Sequence, residues 1–328
     1  MNTTIDFSSP VFSLLAHPRK SLFLTATLTG HVSLSQPSLQ EPLWTTKRHR
    51  RPCRGLALDP EAASFASIGA DKVVKIAELE TGQVIWKDEK TTLHVRCGIV
   101  ADRGRSELNA VCWLNQNIIL TGDDAGVLQV WDTRTQKEAR QCRIHDDYIS
   151  SITPISAGHF ICTSGDATLS HNSILTTFTR SEDQESQLLS SVFLNSRLYC
   201  GTDDGLLLVF HQDQFADQKD RIPVTLGEDI DCLALLDSDR IVLGKSDGGI
   251  EIFQGQNNVG HIGQCEESIS CVSVLQDGRV ITGAGSQVQI WNIDEDLGNP
   301  PRRKNKRQSK NDETHQRINN DQFFADMD

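Results

Sequence analysis

The stretch that decides the fold is TGDDAGVLQVWD, Thr121–Asp132. A small-residue pair, an Asp-Ala-Gly turn and an apolar run ending in Trp follow one another without spacing. The phrase returns as GTDDGLLLVF at Gly201–Phe210, GKSDGGIEIF at Gly244–Phe253 and GAGSQVQIW at Gly283–Trp291. Looser copies are IGADKVVKIA (Ile68–Ala77), TSGDATLS (Thr163–Ser170) and LTGHVSLS (Leu28–Ser35). Asp-Gly and Ala-Gly supply the positive φ angles of a tight hairpin, so each copy reads as strand, turn, strand.

The mean stride between copies is about 43 residues, the length of a four-stranded β-propeller blade. A third run lies upstream in each unit, as in Asn109–Trp113, Ile149–Ile152, Leu188–Val192, Ile230–Leu235 and Ile269–Val274. Its Ser, Ala and Cys content suits the narrow centre of a ring. The fold expected is all-β: a seven-bladed WD-repeat propeller over residues 1–296, followed by a disordered tail over 297–328. The last unit has no strand after Trp291, and Thr3–Phe7 precedes the first. Thr3–Phe7 is therefore expected to supply the outer strand of blade seven and close the ring, removing open sheet edges. The SGDATLSHNSI stretch lacks the Trp ending, which predicts an irregular fourth blade. The near-continuous apolar runs argue for strands covered on both faces, against a sandwich or a helical solenoid.

Composition narrows the function. The chain has 328 residues, 38% of them apolar, enough for one large core. Its nine cysteines form no CxxC pair and no Cys/His group with zinc spacing, so no metal or cofactor is expected. Scattered core cysteines indicate a reducing compartment. No secretory leader or membrane-length apolar run is read, and so no membrane partner. The net charge of −12 argues against nucleic acid wrapping the whole surface.

No catalytic constellation emerges, and no small-molecule substrate is expected. Asp123-Asp124 and Asp203-Asp204 sit in hairpin turns, where Asp caps its own backbone. His145, just before an inner strand, is expected in a structural hydrogen-bond network. The candidates for interaction lie elsewhere. Lys47, Arg48, Arg50, Arg51 and Arg54 form a basic loop expected at one rim, suited to RNA phosphates or an acidic partner. Arg302, Arg303, Lys304, Lys306, Arg307 and Lys310 form a basic run that fits nuclear and nucleolar targeting or phosphate binding. Phe323, Phe324 and Met327, set among acids, fit one helical turn in a partner groove.

A second reading rests on ILTGDDAGVLQVWDTR, Ile119–Arg134. It resembles the box by which WD-repeat substrate receptors bind the adaptor of cullin-4 ubiquitin ligases. Asp124, Trp131, Asp132 and Arg134 fall on the matching positions.

Four longer stretches carry a wider resemblance: WTTKRHRRPCRGLAL (Trp44–Leu58), SIGADKVVKIAELETGQV (Ser67–Val84), RSEDQESQLLSSVF (Arg180–Phe193) and FFADM (Phe323–Met327). With these the chain resembles, over nearly its whole length, the nucleolar WD-repeat family of WD-repeat protein 55 and the fungal Jumonji-domain-interacting proteins. The resemblance implies a non-enzymatic scaffold in the nucleus and nucleolus. Its partners would be proteins of pre-ribosomal particles, with RNA met through the basic loop or tail. Its role would be ribosomal RNA processing, for the large subunit.

Overall fold

Thr121–Asp132 folds as the sequence dictates: two strands, Ile118–Asp123 and Val127–Asp132, meet across a tight turn. Leu120 faces Val130 and Thr121 faces Gln129. Asp123 Oδ1 accepts the backbone N–H groups of Ala125 and Val127, both at 2.9 Å, and so fixes the turn. Gly126 closes it at φ +75°, and a Cβ there would lie 2.2 Å from the His145 carbonyl oxygen. No other residue type fits that contact.

Leu108–Asn115 flanks this hairpin on the channel side and Lys137–Arg143 on the outside, completing one antiparallel blade. The computed structural model describes residues 3–88, 106–156, 158–212, 214–225 and 227–293. Among them, 28 strands form seven such four-stranded sheets. The chain is thus a seven-bladed propeller. The innermost strands of blades one to seven are Val11–Ala16, Cys53–Leu58, Leu108–Asn115, Ile149–Ser156, Leu188–Leu194, Cys232–Leu235 and Ile269–Val274. Residues 297–328, expected as the tail, lie outside the described residues.

The core sits between blades. Seven apolar clusters each join one blade to the next. Second strands such as Phe23–Thr27 and Val280–Ala284 are buried at every position, because neighbouring blades cover both faces. Outer strands alternate instead, as Lys137–Arg143 does, since their far side meets water. Cys112, Cys162, Cys200, Cys232 and Cys271 are buried, and burial pushes the Cys112 and Cys271 thiols up to about 12.

The first and last units share a sheet. Thr3–Asp6 pairs antiparallel with Gln287–Trp291, placing Thr3 opposite Ile290 and Ile5 opposite Val288. Ile5 is buried with Val11 and Phe23 of blade one and Ile281 and Val288 of blade seven. The backbone N–H of Ala16 donates to Ser273 Oγ at 3.0 Å, a second tie across the seam.

The fourth blade corrects the sequence-based expectation of irregularity. Ile149–Ser156, His159–Ser164, Leu169–Ser173 and Thr177–Arg180 form a full four-stranded sheet, with register shifts at Ile149/Ser151, Pro154/Ser156 and His171/Asn172 like those of the other blades. Trp131 of blade three faces Ile119, two residues before Thr121; at the matching register of blade four His171 faces Ile161, its ring 5.2 Å from that of Phe215. His145 meets Asp166 Oδ2 at 3.0 Å, Thr168 Oγ1 at 3.1 Å and Ser170 Oγ at 2.8 Å.

Candidate interaction surface

One rim of the ring is assembled by a repeated backbone contact. The glycine of each Asp-Gly-type turn accepts hydrogen bonds from the segment leading to the next blade. Gly30 O takes Arg48 and His49 N–H, Gly126 O takes Ile144 and His145, Gly205 O takes Val224 and Thr225, and Gly248 O takes Cys265. Hairpin turns and entry segments therefore share one face, which surrounds one mouth of the central channel.

The basic loop lies on this rim, but its cations differ in fate. Lys47, Arg50 and Arg51 are exposed. Arg48 turns inward, donating to Gly82 O with its guanidinium 5.6 Å from the centre of the Phe65 ring. Arg51 meets Glu107 at 2.6 Å. Arg54 reaches Asp124 and Glu107, both at 2.8 Å. Lys47, Arg50 and the nearby turn residue Lys72 carry no ion pair among the described residues. Beneath them, buried His49 pairs with Asp71 Oδ1 at 2.8 Å and Ser67 Oγ at 3.0 Å. Burial holds His49 below its ordinary pKa, and so neutral. Burial pushes Asp71 up, but donors from His49 and the Arg50 N–H outweigh it and hold its carboxyl below the usual range.

The channel mouth is a cavity of about 650 Å³, lined by Phe12, Arg54, Asp124, Asp147, Tyr148 and Asp231 among others. Its charge is acidic. Burial, then the charge of Asp229, pushes Asp231 up to about 6. Burial and then Asp203, Glu228 and Asp204 push Asp229 up as well. Tyr148 is raised by burial and by Asp147, Asp203, Asp229 and Asp124. The rim is thus divided, with free cations on blades one and two and crowded carboxylates on blades four to six. Linear motif reading missed Phe12, Asp147, Tyr148 and Asp231, because they come from the entries of three different blades and carry no motif of their own.

Of the ligase-adaptor box, Asp132 and Arg134 are brought together, while Asp124 lies at the other end of the strand. Asp124 lies in the turn before Val127–Asp132 and Arg134 in the turn after it. One strand height, about 20 Å for six residues, separates them. Trp131 is buried and donates to Thr121 Oγ1 at 3.0 Å. Arg134 is 68% exposed and bonds Asp132 at 2.8 Å, which holds the Asp132 carboxyl down at about 2. Arg302, Arg303, Lys304, Lys306, Arg307, Lys310, Phe323, Phe324 and Met327 lie outside the described residues. Among the described residues, no group of three or more His, Cys, Asp or Glu side chains has metal-holding geometry. Among the described residues, no helix is long and apolar enough to cross a membrane.

No protein-family model matches the chain. An uncharacterized WD repeat-containing protein of Schizosaccharomyces pombe is 30% identical over 321 residues, covering 89% of this chain and 84% of its own. WD repeat-containing protein 55 of Arabidopsis thaliana is 26% identical over 305 residues, with 89% and 83% covered. WD repeat-containing protein JIP5 of Coccidioides immitis is 27% identical over 351 residues, with 90% and 82% covered. Among solved structures, that of U3-55K superposes with a TM-score of 0.75 at 13% identity, over 88% of this chain and 98% of that one. That likeness is one of fold.

Proposed function

The chain belongs to the family of WD repeat-containing protein 55 and JIP5, and on that footing we propose that it is a non-enzymatic scaffold of ribosome biogenesis in the nucleolus. It acts there in ribosomal RNA processing for the large subunit, holding proteins of pre-ribosomal particles. The observation that carries this reading is the extent of the relationship, 89% of this chain against 84% of the fission-yeast relative. The shared part is the propeller itself, not an appended segment.

The divided rim supports a scaffold in a ribonucleoprotein setting. Lys47, Arg50 and Lys72 present cations without ion partners among the described residues to RNA phosphates, and the sequence 302–310 contains six Lys and Arg residues. The test is affinity purification of the tagged chain, with and without residues 302–328, scored for large-subunit assembly factors and precursor ribosomal RNA. Recovery of both supports the reading, and their loss on truncation assigns docking or targeting to the tail. A tag signal spread through the cytoplasm, with no precursor RNA recovered, overturns it.

A further inference from the structure

The channel mouth has three properties that belong together. It is a cavity large enough for side chains of another molecule, about 650 Å³. It exposes an aromatic ring, Phe12, at 42% of its surface, beside Tyr148 and Leu189. Its charge is unbalanced: among the described residues Arg54 is the one cation in the lining, and it is already engaged by Asp124 and Glu107. Among the described residues, Asp147, Asp203, Asp204, Asp229 and Asp231 make no ion pair. Their hydrogen bonds come from neutral donors such as Gln187 N–H, Ser186 Oγ and Ser268 Oγ. Burial first, and the crowding of negative charge second, raise Asp229, Asp231 and Tyr148.

A fold gains nothing by holding like charges around an open cavity, whereas a cationic ligand neutralises them and stacks on the exposed ring. Phosphate is repelled here, so RNA belongs to the opposite side of the rim. We propose that this mouth docks an arginine- or lysine-rich segment of a partner protein, one cationic side chain entering the cavity lined by Asp147, Asp231 and Phe12. The inference rests on the scaffold reading and names the partner class of its acidic face.

The test is fluorescence polarisation on the full chain, with a short fluorescein-labelled peptide alternating arginine with glycine. Its counterpart with glutamine for arginine is the control. The arginine peptide binds, more weakly as salt rises, and the glutamine peptide does not. Asp147→Asn with Asp231→Asn weakens binding about tenfold or more. Phe12→Ala weakens it severalfold. Asp217→Asn with Asp239→Asn, an equal charge change on the opposite rim, leaves it unchanged. Thermal midpoints of all variants verify folding. Equal affinity in the Asp147/Asp231 variant, or equal loss in the Asp217/Asp239 control, overturns the proposal. So does tighter binding after truncation at Leu297, which would make the chain's own tail the occupant. The two readings fail separately, because peptide affinity is measured in isolation and precursor RNA recovery is not.

Discussion

Trp131 Nε1 donates to Thr121 Oγ1 at 3.0 Å, between two fully buried side chains ten positions apart in the decisive motif. Trp291 Nε1 repeats the bond to Thr282 Oγ1 at 2.9 Å in blade seven. The apolar run ends in Trp because the indole spans from the third strand back to the second. Replacing Thr121 by Val keeps the shape and removes the acceptor, leaving the indole N–H unsatisfied in the core. The expected cost is about 1–3 kcal/mol in urea unfolding, with Thr282→Val similar. A stability change near zero for both would assign the Trp role to packing alone.

Closure of the ring depends on one short strand. Ile5 is 1% exposed and packs against residues from both ends of the chain. Ile5→Ala is expected to cost about 2–4 kcal/mol by urea titration. Deleting residues 1–7 leaves Gln287–Trp291 as an open edge. The truncated protein is expected to aggregate at concentrations where the full chain stays monomeric by light scattering.

Propeller architecture was legible because stride and turn chemistry are local: an Asp, a Gly and a Trp at fixed offsets report a hairpin that tertiary context does not override. Other features were not local. In KRHRR the four cations read alike, yet Arg48 points inward to Gly82 and Phe65 while Arg50 stays exposed. Blade four looked irregular from its letters, but His171 stands at the register that Trp131 holds in blade three and packs on Phe215. The channel mouth combines Phe12, Asp147 and Asp231, which no linear window contains.

Lys245 shows the same limit and gives a third test. In GKSDGG it reads as a turn cation, yet it is buried, with Nζ 2.9 Å from Glu251, 3.2 Å from Asp247 and 3.0 Å from Thr225 Oγ1. Burial lowers its pKa, but Glu251 and Asp247 outweigh that and raise it, so it stays charged. Lys245→Met strands the Glu251 carboxylate and is expected to cost about 3 kcal/mol. Lys245→Met with Glu251→Leu removes both charges and should recover most of that loss. A double variant as unstable as the sum of the two single ones would show that the pair is not coupled.

Asp231 links stability to the acidic mouth. Its folded pKa is raised to about 6 from the ordinary carboxyl value of 3.8, first by burial and then by Asp229. The folded state therefore binds its proton more tightly than the unfolded chain does. The stability this provides is fully present below the unfolded value and is lost as pH rises through about 6. At neutral pH the ionised carboxylate is a burden on the fold, and Asp231→Asn removes it. The variant is expected to be more stable than the parent by about 2 kcal/mol near pH 7.5, after allowance for nearby solvent. The gap should close as pH falls toward 4. Denaturant midpoints of both proteins across that range measure it directly. A gap that is absent at neutral pH, or that does not change with pH, would mean that the Asp231 carboxyl is not held under strain. If the gap follows the expected course while arginine-peptide binding weakens, then the same carboxylate costs the fold stability and serves the docking of a cationic partner.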